Sequence, residues 1–219
     1  MLIANHPRVK LFNYWRSSAS YRVRLALAFK GLAYEYVAVN LQKGEQHGAS
    51  HVARNPWHSV PVLELDSGAL IPQSVAIVEY LEETYPAKPL FPAKALERAQ
   101  MRALVETVNS GIQPLHNLQV LNFVKDELKG DVKVWSEKWI GQGLDALEAM
   151  AETSAGTFLV GDAFSFADCC LLPQLYGARR FASVDAVRYP TLSRVEAHCL
   201  SLDFVQKARP EHQPDAVNT

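Results

Sequence analysis

The stretch "RSSASYRVRLALAFKG" (residues 16–31) decides the fold, because it joins small hydroxyl residues to a helix-forming segment that closes with a glycine. Its apolar residues recur at helical spacing between Ser20 and Lys30, and Gly31 is a typical helix stop. The residues before it, "VKLFNY" (9–14), have the composition of a buried strand. The sequence therefore predicts a first strand, a serine-rich turn and a first helix.

The next segments predict the rest of a small α/β domain. "YEYVAVN" (34–40) alternates aromatic or β-branched residues with polar ones, which indicates a second strand. "VPVLEL" (60–65) and "ALI" (69–71) flank the hairpin signal "DSG", and Gln73-Ser74 opens an amphipathic helix. This order of elements predicts a thioredoxin-like domain with a mixed four-stranded sheet.

The second half of the chain has a different pattern. "PAKPLFP" is punctuated by prolines and suits a stiff linker, and the pattern after it is helical nearly throughout. We therefore predict three parts: an α/β domain at residues 1–86, a linker at 87–92 and an all-α domain at 93–219.

Composition limits the possible functions. A formal net charge of −1 over 219 residues gives no general attraction to nucleic acid or to an anionic membrane, so neither is an expected partner. The three cysteines and seven histidines have no metal-site spacing, and we expect no metal. The N-terminus has no long apolar stretch, so we expect a cytoplasmic protein.

Several polar residues are expected to have structural roles. We expect a long helical stretch over 95–127, broken at Pro114, with His116 on its surface. Arg22 and Arg24 are two residues apart and cannot share a helix face, so each is expected to form an ion pair at a surface or a domain interface, or else to help with the charge of a ligand. Ser165 and Asp168 have the spacing of a helix capping box.

The serine-rich turn has two possible roles. The four residues from Ser17 to Ser20 occupy the place that a C-x-x-C motif has in the thioredoxin plan, and hydroxyls cannot take part in disulfide exchange. The serines could act only as helix caps. They could instead hold a small-molecule thiol, because a helix N-terminus and a donated hydroxyl both stabilise a thiolate.

Two other stretches favour the second role. Val60-Pro61 directly precedes a strand, where a cis proline would present the Val60 backbone to an extended peptide. Gln73-Ser74 at a helix start would offer N–H groups and a hydroxyl to a carboxylate. A thiolate site, a peptide-binding edge and a carboxylate site on one face together predict a glutathione site.

The stretch "SSASYRVRLAL" (17–27) resembles the zeta-class glutathione transferase signature S-S-C-x-x-R-V-R-I-A-L, with Ala19 in place of the cysteine. "NPWHSVPVLEL", "QSVAIVEYLEETYP", "GIQPLHNLQVL", "GDAFSFADCCLLPQLYGARRF" and "RPEHQPDA" extend the resemblance over essentially the whole chain. The resemblance implies the glutathione transferase fold, glutathione as cofactor and a homodimer.

The resemblance also implies roles for individual residues. Ser17 would be the catalytic serine that hydrogen-bonds the glutathione sulfur, with Ser18 beside it in the catalytic turn and Ala19 contributing a backbone contact. Further glutathione contacts would come from Gln46, Val60, Gln73, Ser74, Gln113 and Asn117. Arg180 would line a pocket for an acidic substrate, although Arg179 could do so instead, and Arg16 is a further substrate-binding candidate.

The activity that the resemblance implies is glutathione-dependent cis-trans isomerisation of maleylacetoacetate in tyrosine and phenylalanine breakdown, by thiolate addition, bond rotation and elimination. Its substrate would be a small dicarboxylic or keto acid. Three alternatives stay open: isomerisation of maleylpyruvate, conjugation of small α-haloacids, and binding of glutathione without catalysis. Gln119 stands where the related maleylpyruvate isomerases carry an arginine, which disfavours the first alternative.

Overall fold

The computed structural model describes residues 9–217 and divides them into two compact units. The first unit comprises the described residues up to Pro89 together with those from Leu202 onward, and the second comprises Leu90–Ser201. Residues 1–8, where no leader was predicted, lie outside the described part.

The first unit contains a four-stranded mixed sheet. Its elements in chain order are β1 (Val9–Asn13), α1 (Ser18–Lys30), β2 (Tyr34–Ala38), α2 (Ala49–Val52), β3 (Val62–Glu64), β4 (Leu70–Pro72) and α3 (Ser74–Thr84). The strand order is β2-β1-β3-β4, with β1 parallel to β2 and the other neighbours antiparallel. The predicted thioredoxin-like sheet is confirmed.

Local sequence signals determine the ends of these elements. Gly31 adopts φ 72°, and the N–H of Leu32 donates to the Leu27 carbonyl, which ends α1 as predicted. The strand β3 begins at Val62, later than predicted, because Pro61 has no N–H to donate to a neighbouring strand. Leu11 pairs with Leu63 at the centre of the sheet, and both side chains are fully buried.

The second unit is helical among its described residues. Its α-helices are α4 (Ala95–Glu106), α5 (Leu118–Asp126), α6 (Val132–Ser154), α7 (Phe166–Ala178) and α8 (Pro190–Leu200). The break predicted at Pro114 is wider than expected, because a π-helical turn (Thr107–Ile112) and a 3-10 turn (Gln113–His116) separate α4 from α5. The predicted capping box at Ser165 and Asp168 begins α7.

The C-terminal segment (residues 202–217) groups with the first unit, whereas the sequence analysis assigned it to the helical domain. Its helix α9 (Asp203–Ala208) packs on α1, where the rings of Phe29 and Phe204 lie 5.5 Å apart. The predicted boundaries at residues 86 and 93 stay a prediction. Within residues 9–217, no helix is both long and apolar enough to cross a membrane.

Candidate active site

The Ser17 hydroxyl lies at the N-terminus of α1. Ser17 is the N-cap residue, and its Oγ accepts a hydrogen bond from the Ser20 N–H at 3.2 Å. Ser17, Ser18 and Ala19 are each half-buried. The cap uses a lone pair of Oγ, so the hydroxyl proton can still be donated to an anion in front of the helix. The positive end of the helix dipole favours such an anion at this position.

The cis proline is present where the sequence predicts it. The Val60-Pro61 peptide bond is cis, and Val60 is buried in an apolar cluster that also contains Trp15. Gln46 lies in a 3-10 turn (Glu45–His47). The next residue in that turn, His47, pairs with His58, and their Nδ1 atoms are 3.2 Å apart. The pair connects the turn of Gln46 to the loop that leads into Val60.

The start of α3 offers polar groups to a carboxylate. Gln73 precedes the helix with φ 72° and is exposed, while Ser74 is its first residue and is buried. The guanidinium of Arg22 donates from Nη1 to the Ser74 Oγ at 3.2 Å. A hydroxyl that accepts from a cation donates its own proton more readily, so this contact prepares Ser74 to bind an anion.

The expectation that Arg22 and Arg24 pair at a surface is wrong. Both side chains are buried inside the first unit, Arg22 at 1% and Arg24 at 0% exposure, rather than paired at a surface. Arg24 donates to main-chain carbonyls that include those of Tyr14 and Trp15. The two arginines lie on different faces of α1, and each guanidinium finds an oxygen acceptor within the protein.

The second unit holds the remaining predicted residues. Gln113 begins the 3-10 turn and is half-buried. Asn117 caps α5, where its Oδ1 accepts from the Val120 N–H at 2.9 Å. The cap occupies the amide oxygen of Asn117, so its NH₂ group is the part that can donate to a ligand.

The two neighbouring arginines have different surroundings. Arg179 forms a bidentate ion pair with Glu196, with N to O distances of 2.6 and 2.5 Å. The Glu196 carboxylate raises the pKa of Arg179 through this hydrogen bonding. The Arg180 guanidinium is exposed and lies 5.2 Å from the centre of the Phe181 ring. A second carboxylate would have to compete with Glu196 at Arg179, which disfavours Arg179 as the acid-binding residue.

The prediction of a surface histidine at position 116 is wrong. His116 is 5% exposed, and its Nε2 lies within hydrogen-bond distance, 3.0 Å, of the side-chain amide nitrogen of Gln174 on α7. The π-helical and 3-10 turns before α5 change the direction of successive side chains, so helical periodicity assigns the wrong face here. Among the described residues, no group of three or more His, Cys, Asp or Glu side chains could hold a metal ion.

Comparisons with known proteins agree with this geometry. Residues 7–83 match the model of the glutathione S-transferase N-terminal domain, and residues 135–204 match that of the C-terminal domain. Maleylacetoacetate isomerase of Dictyostelium discoideum is 45% identical over 210 residues, which cover 94% of this chain and 95% of that protein.

Two solved structures are also similar. The crystal structure of maleylacetoacetate isomerase from Anaeromyxobacter dehalogenans 2CP-1, with glutathione bound in its active site, has a TM-score of 0.88 at 49% identity and covers 96% of this chain and 99% of that one. The holo structure of a maleylpyruvate isomerase, described as a bacterial zeta-class glutathione S-transferase, has a TM-score of 0.91 at 40% identity, with coverage of 95% and 100%. The chain belongs to the zeta-class glutathione transferases.

The described groups of this zeta-class transferase fit glutathione. The α1 N-terminus with Ser17 suits a thiolate, the Val60 backbone before the cis proline suits a peptide, and the start of α3 with Ser74 suits a carboxylate. Sequence reasoning missed the contact of Arg22 with Ser74. An arginine within an apolar helical run was the available signal, but its partner 52 residues away was not.

Proposed function

We propose that this zeta-class transferase catalyses the glutathione-dependent cis-trans isomerisation of maleylacetoacetate to fumarylacetoacetate, in tyrosine and phenylalanine catabolism. It would act on a small keto acid as a cytoplasmic homodimer. Maleylacetoacetate isomerases at 45 to 49% identity support the substrate. The proposal rests above all on Ser17, which caps α1 by accepting a hydrogen bond and keeps its hydroxyl proton for a thiolate.

Glutathione, when bound, supplies a thiol that adds to a conjugated double bond and leaves again, which lets the carbon-carbon bond rotate in between. Ser17 would donate to the sulfur, and the N-terminus of α1 would favour the thiolate over the thiol. Ser18 and Ala19 would contact the tripeptide beside the sulfur. The other proposed contacts are those of Gln46, Val60, Gln73, Ser74, Gln113 and Asn117.

The substrate carboxylates need a cation, and Arg180 is the proposed one. Its planar guanidinium can form two parallel hydrogen bonds to a carboxylate. Arg179 is already paired with Glu196, so it is not proposed for this role. Arg16, one residue before Ser17, is a second candidate. It is half-buried, and its guanidinium lies 5.1 Å from the centre of the Trp15 ring.

The test is a comparison of three substrates with the purified chain. Maleylacetoacetate, maleylpyruvate and a dichlorinated acid are each incubated with and without glutathione, and free glutathione is titrated afterwards. We expect turnover of maleylacetoacetate that requires glutathione and leaves its concentration unchanged, because the thiol is regenerated. Loss of glutathione together with halide release would identify a conjugating transferase instead. Glutathione binding without turnover of any substrate would identify a binding protein.

A further inference from the structure

Trp15, two residues before Ser17, has both of its main-chain polar groups bonded to charged side chains. Its N–H donates to Oδ2 of Asp215 at 3.1 Å, and its carbonyl accepts from Nη2 of Arg24 at 2.8 Å. Neither charged residue belongs to the turn, since Arg24 lies on α1 and Asp215 lies in the C-terminal segment. The position of the turn therefore depends on side chains from two other parts of the unit.

The guanidinium of Arg24 donates hydrogen bonds to several oxygens. Besides Trp15, it donates to Oδ1 of Asn13 at 3.1 Å and to the Tyr14 carbonyl at 3.3 Å, and its Nε donates to the Ala208 carbonyl at 3.1 Å. The rigid planar guanidinium thus connects β1, the turn and the end of α9. Burial lowers the pKa of Arg24, while the Asp215 charge is among the groups that raise it.

Asp215 is itself anchored on the sheet. Its second oxygen, Oδ1, accepts a hydrogen bond from the hydroxyl of Tyr36 on β2. The neighbouring Ala216 packs on the apolar cluster that contains Trp15 and Val60. The C-terminal segment therefore contacts Trp15, two residues before Ser17, and the apolar cluster to which Val60 belongs.

We propose that Asp215 is a positioning residue, which fixes the turn before Ser17 so that the serine hydroxyl meets the glutathione sulfur. The inference rests on the proposed function, because it assigns the same role to Ser17. Without the Asp215 carboxylate, the Trp15 N–H loses its acceptor and the turn is held only from the Arg24 side. Glutathione binding and thiolate formation would then weaken together.

The experiment compares Asp215→Ala with Asp215→Asn and with Glu211→Ala. Glu211→Ala is the matched control, because it removes an exposed carboxylate from the same segment, and that carboxylate forms an ion pair with Arg209. Amide hydrogen exchange of the peptide that covers residues 12–17 is measured without glutathione. Glutathione affinity is measured by calorimetry, and the fraction of bound thiolate is measured against pH by ultraviolet absorbance.

We expect Asp215→Ala to speed hydrogen exchange at the Trp15 amide, because one charge-assisted hydrogen bond is lost. The affinity for glutathione should fall about 10-fold, and the pKa of the bound thiol should rise. Asp215→Asn keeps an oxygen that can accept from Trp15, so it should restore most of the affinity. Glu211→Ala should match the wild type in every measurement. If Asp215→Ala does not fold, Tyr36→Phe carries the same comparison with a smaller expected effect, because it removes the hydroxyl that anchors Asp215, and exchange and affinity equal to the wild type would then overturn the inference.

Two outcomes would overturn the inference: exchange and affinity in Asp215→Ala equal to those of the wild type, or equal changes in Asp215→Ala and Glu211→Ala. Failure of the proposed function is a separate result, in which the wild type itself neither binds glutathione nor turns over maleylacetoacetate. The exchange measurement needs no ligand, so it tests the tether of the turn in either case.

Discussion

Ser17 caps α1 and can also perform the proposed second task of donating to a thiolate, two roles that the sequence presents as alternatives. From the sequence alone, a serine before a helix can be interpreted either as a cap or as a ligand-binding hydroxyl. In the structure the oxygen accepts from the Ser20 N–H, and a hydroxyl that accepts one hydrogen bond can still donate another. The cap fixes the rotation of the side chain, which benefits catalysis because a donor held in place needs no reorganisation.

Ser17→Ala should separate these two tasks. We expect kcat to fall about 100-fold, by analogy with the loss of one preorganised donor, while the free energy of unfolding falls by only about 1 kcal/mol for the lost cap. Asp131→Ala is the control, since Asp131 caps α6 by accepting from the Lys133 and Val134 N–H groups. It should lower stability by a similar amount and leave turnover intact. Wild-type turnover in folded Ser17→Ala would refute the assignment.

The adjacent arginines permit a similar comparison for the substrate. Arg180→Ala should raise the KM for maleylacetoacetate by about 10-fold or more, because a charge-assisted contact to carboxylate contributes about 1.5–3 kcal/mol. Its glutathione affinity should not change. Arg179→Ala removes the pair with Glu196, so it should reduce thermal stability without changing KM. Steady-state kinetics, with the concentrations of maleylacetoacetate and glutathione varied in turn, measure both effects. The reverse pattern would identify Arg179 as the residue that binds the substrate carboxylate.

At the scale of elements, Arg22 connects α1 to the start of α3. The residue lies in the helix that begins beside Ser17, and its Nη1 donates to Ser74 at the other predicted end of glutathione. The helix that would orient the proposed thiolate site therefore also carries the cation that donates to Ser74 at the proposed carboxylate site. A change in either helix position would alter both parts of the site.

A double-mutant cycle on Arg22→Lys and Ser74→Ala tests this connection. Each single change should weaken glutathione binding about 10-fold, because Ser74→Ala removes the hydroxyl and Arg22→Lys replaces the guanidinium that donates to it with a shorter side chain of different geometry. The double change should be little worse than either single change, since residues in one hydrogen-bond network are not additive. Calorimetric affinities of the four proteins give the coupling directly. Fully additive losses would show that Arg22 and Ser74 act independently.

The elements that the sequence predicts are those with local causes. Gly31, the "DSG" hairpin and Val60-Pro61 each act through their own backbone geometry, so the helix end, the turn and the cis bond are all predictable. The C-terminal segment is not, because its assignment depends on contacts such as that of Arg24 with Ala208, which are 184 residues apart. Asp215 gives no local signal at all, and its partners Trp15 and Tyr36 are known only from the fold.

At the scale of the whole molecule, the second unit contains a buried carboxyl group that takes part in the capping box of α7. Asp168 is fully buried and accepts from the Leu159 N–H at 2.8 Å and from the Ser165 N–H at 2.8 Å. It also accepts from the Ser165 hydroxyl at 2.9 Å. Burial nevertheless raises its pKa from 3.8 to about 6, because desolvation outweighs the hydrogen bonds that favour the charged form.

This shift determines the sign of a pH effect on global stability. A carboxyl group whose pKa is higher in the folded protein contributes most to the free energy of unfolding below its unfolded pKa of 3.8. This contribution is lost as the pH rises through about 6. The change amounts to about 3 kcal/mol for a shift of about two pKa units. Urea unfolding of wild type and Asp168→Asn between about pH 4 and about pH 7 isolates it, since all other groups titrate equally in both proteins. Asp168→Asn should be less stable over this whole pH range, because the amide cannot replace both acceptor oxygens. The difference between the two proteins in free energy of unfolding should be largest at low pH. A gap that widens as the pH rises would show that the capping hydrogen bonds outweigh desolvation at Asp168.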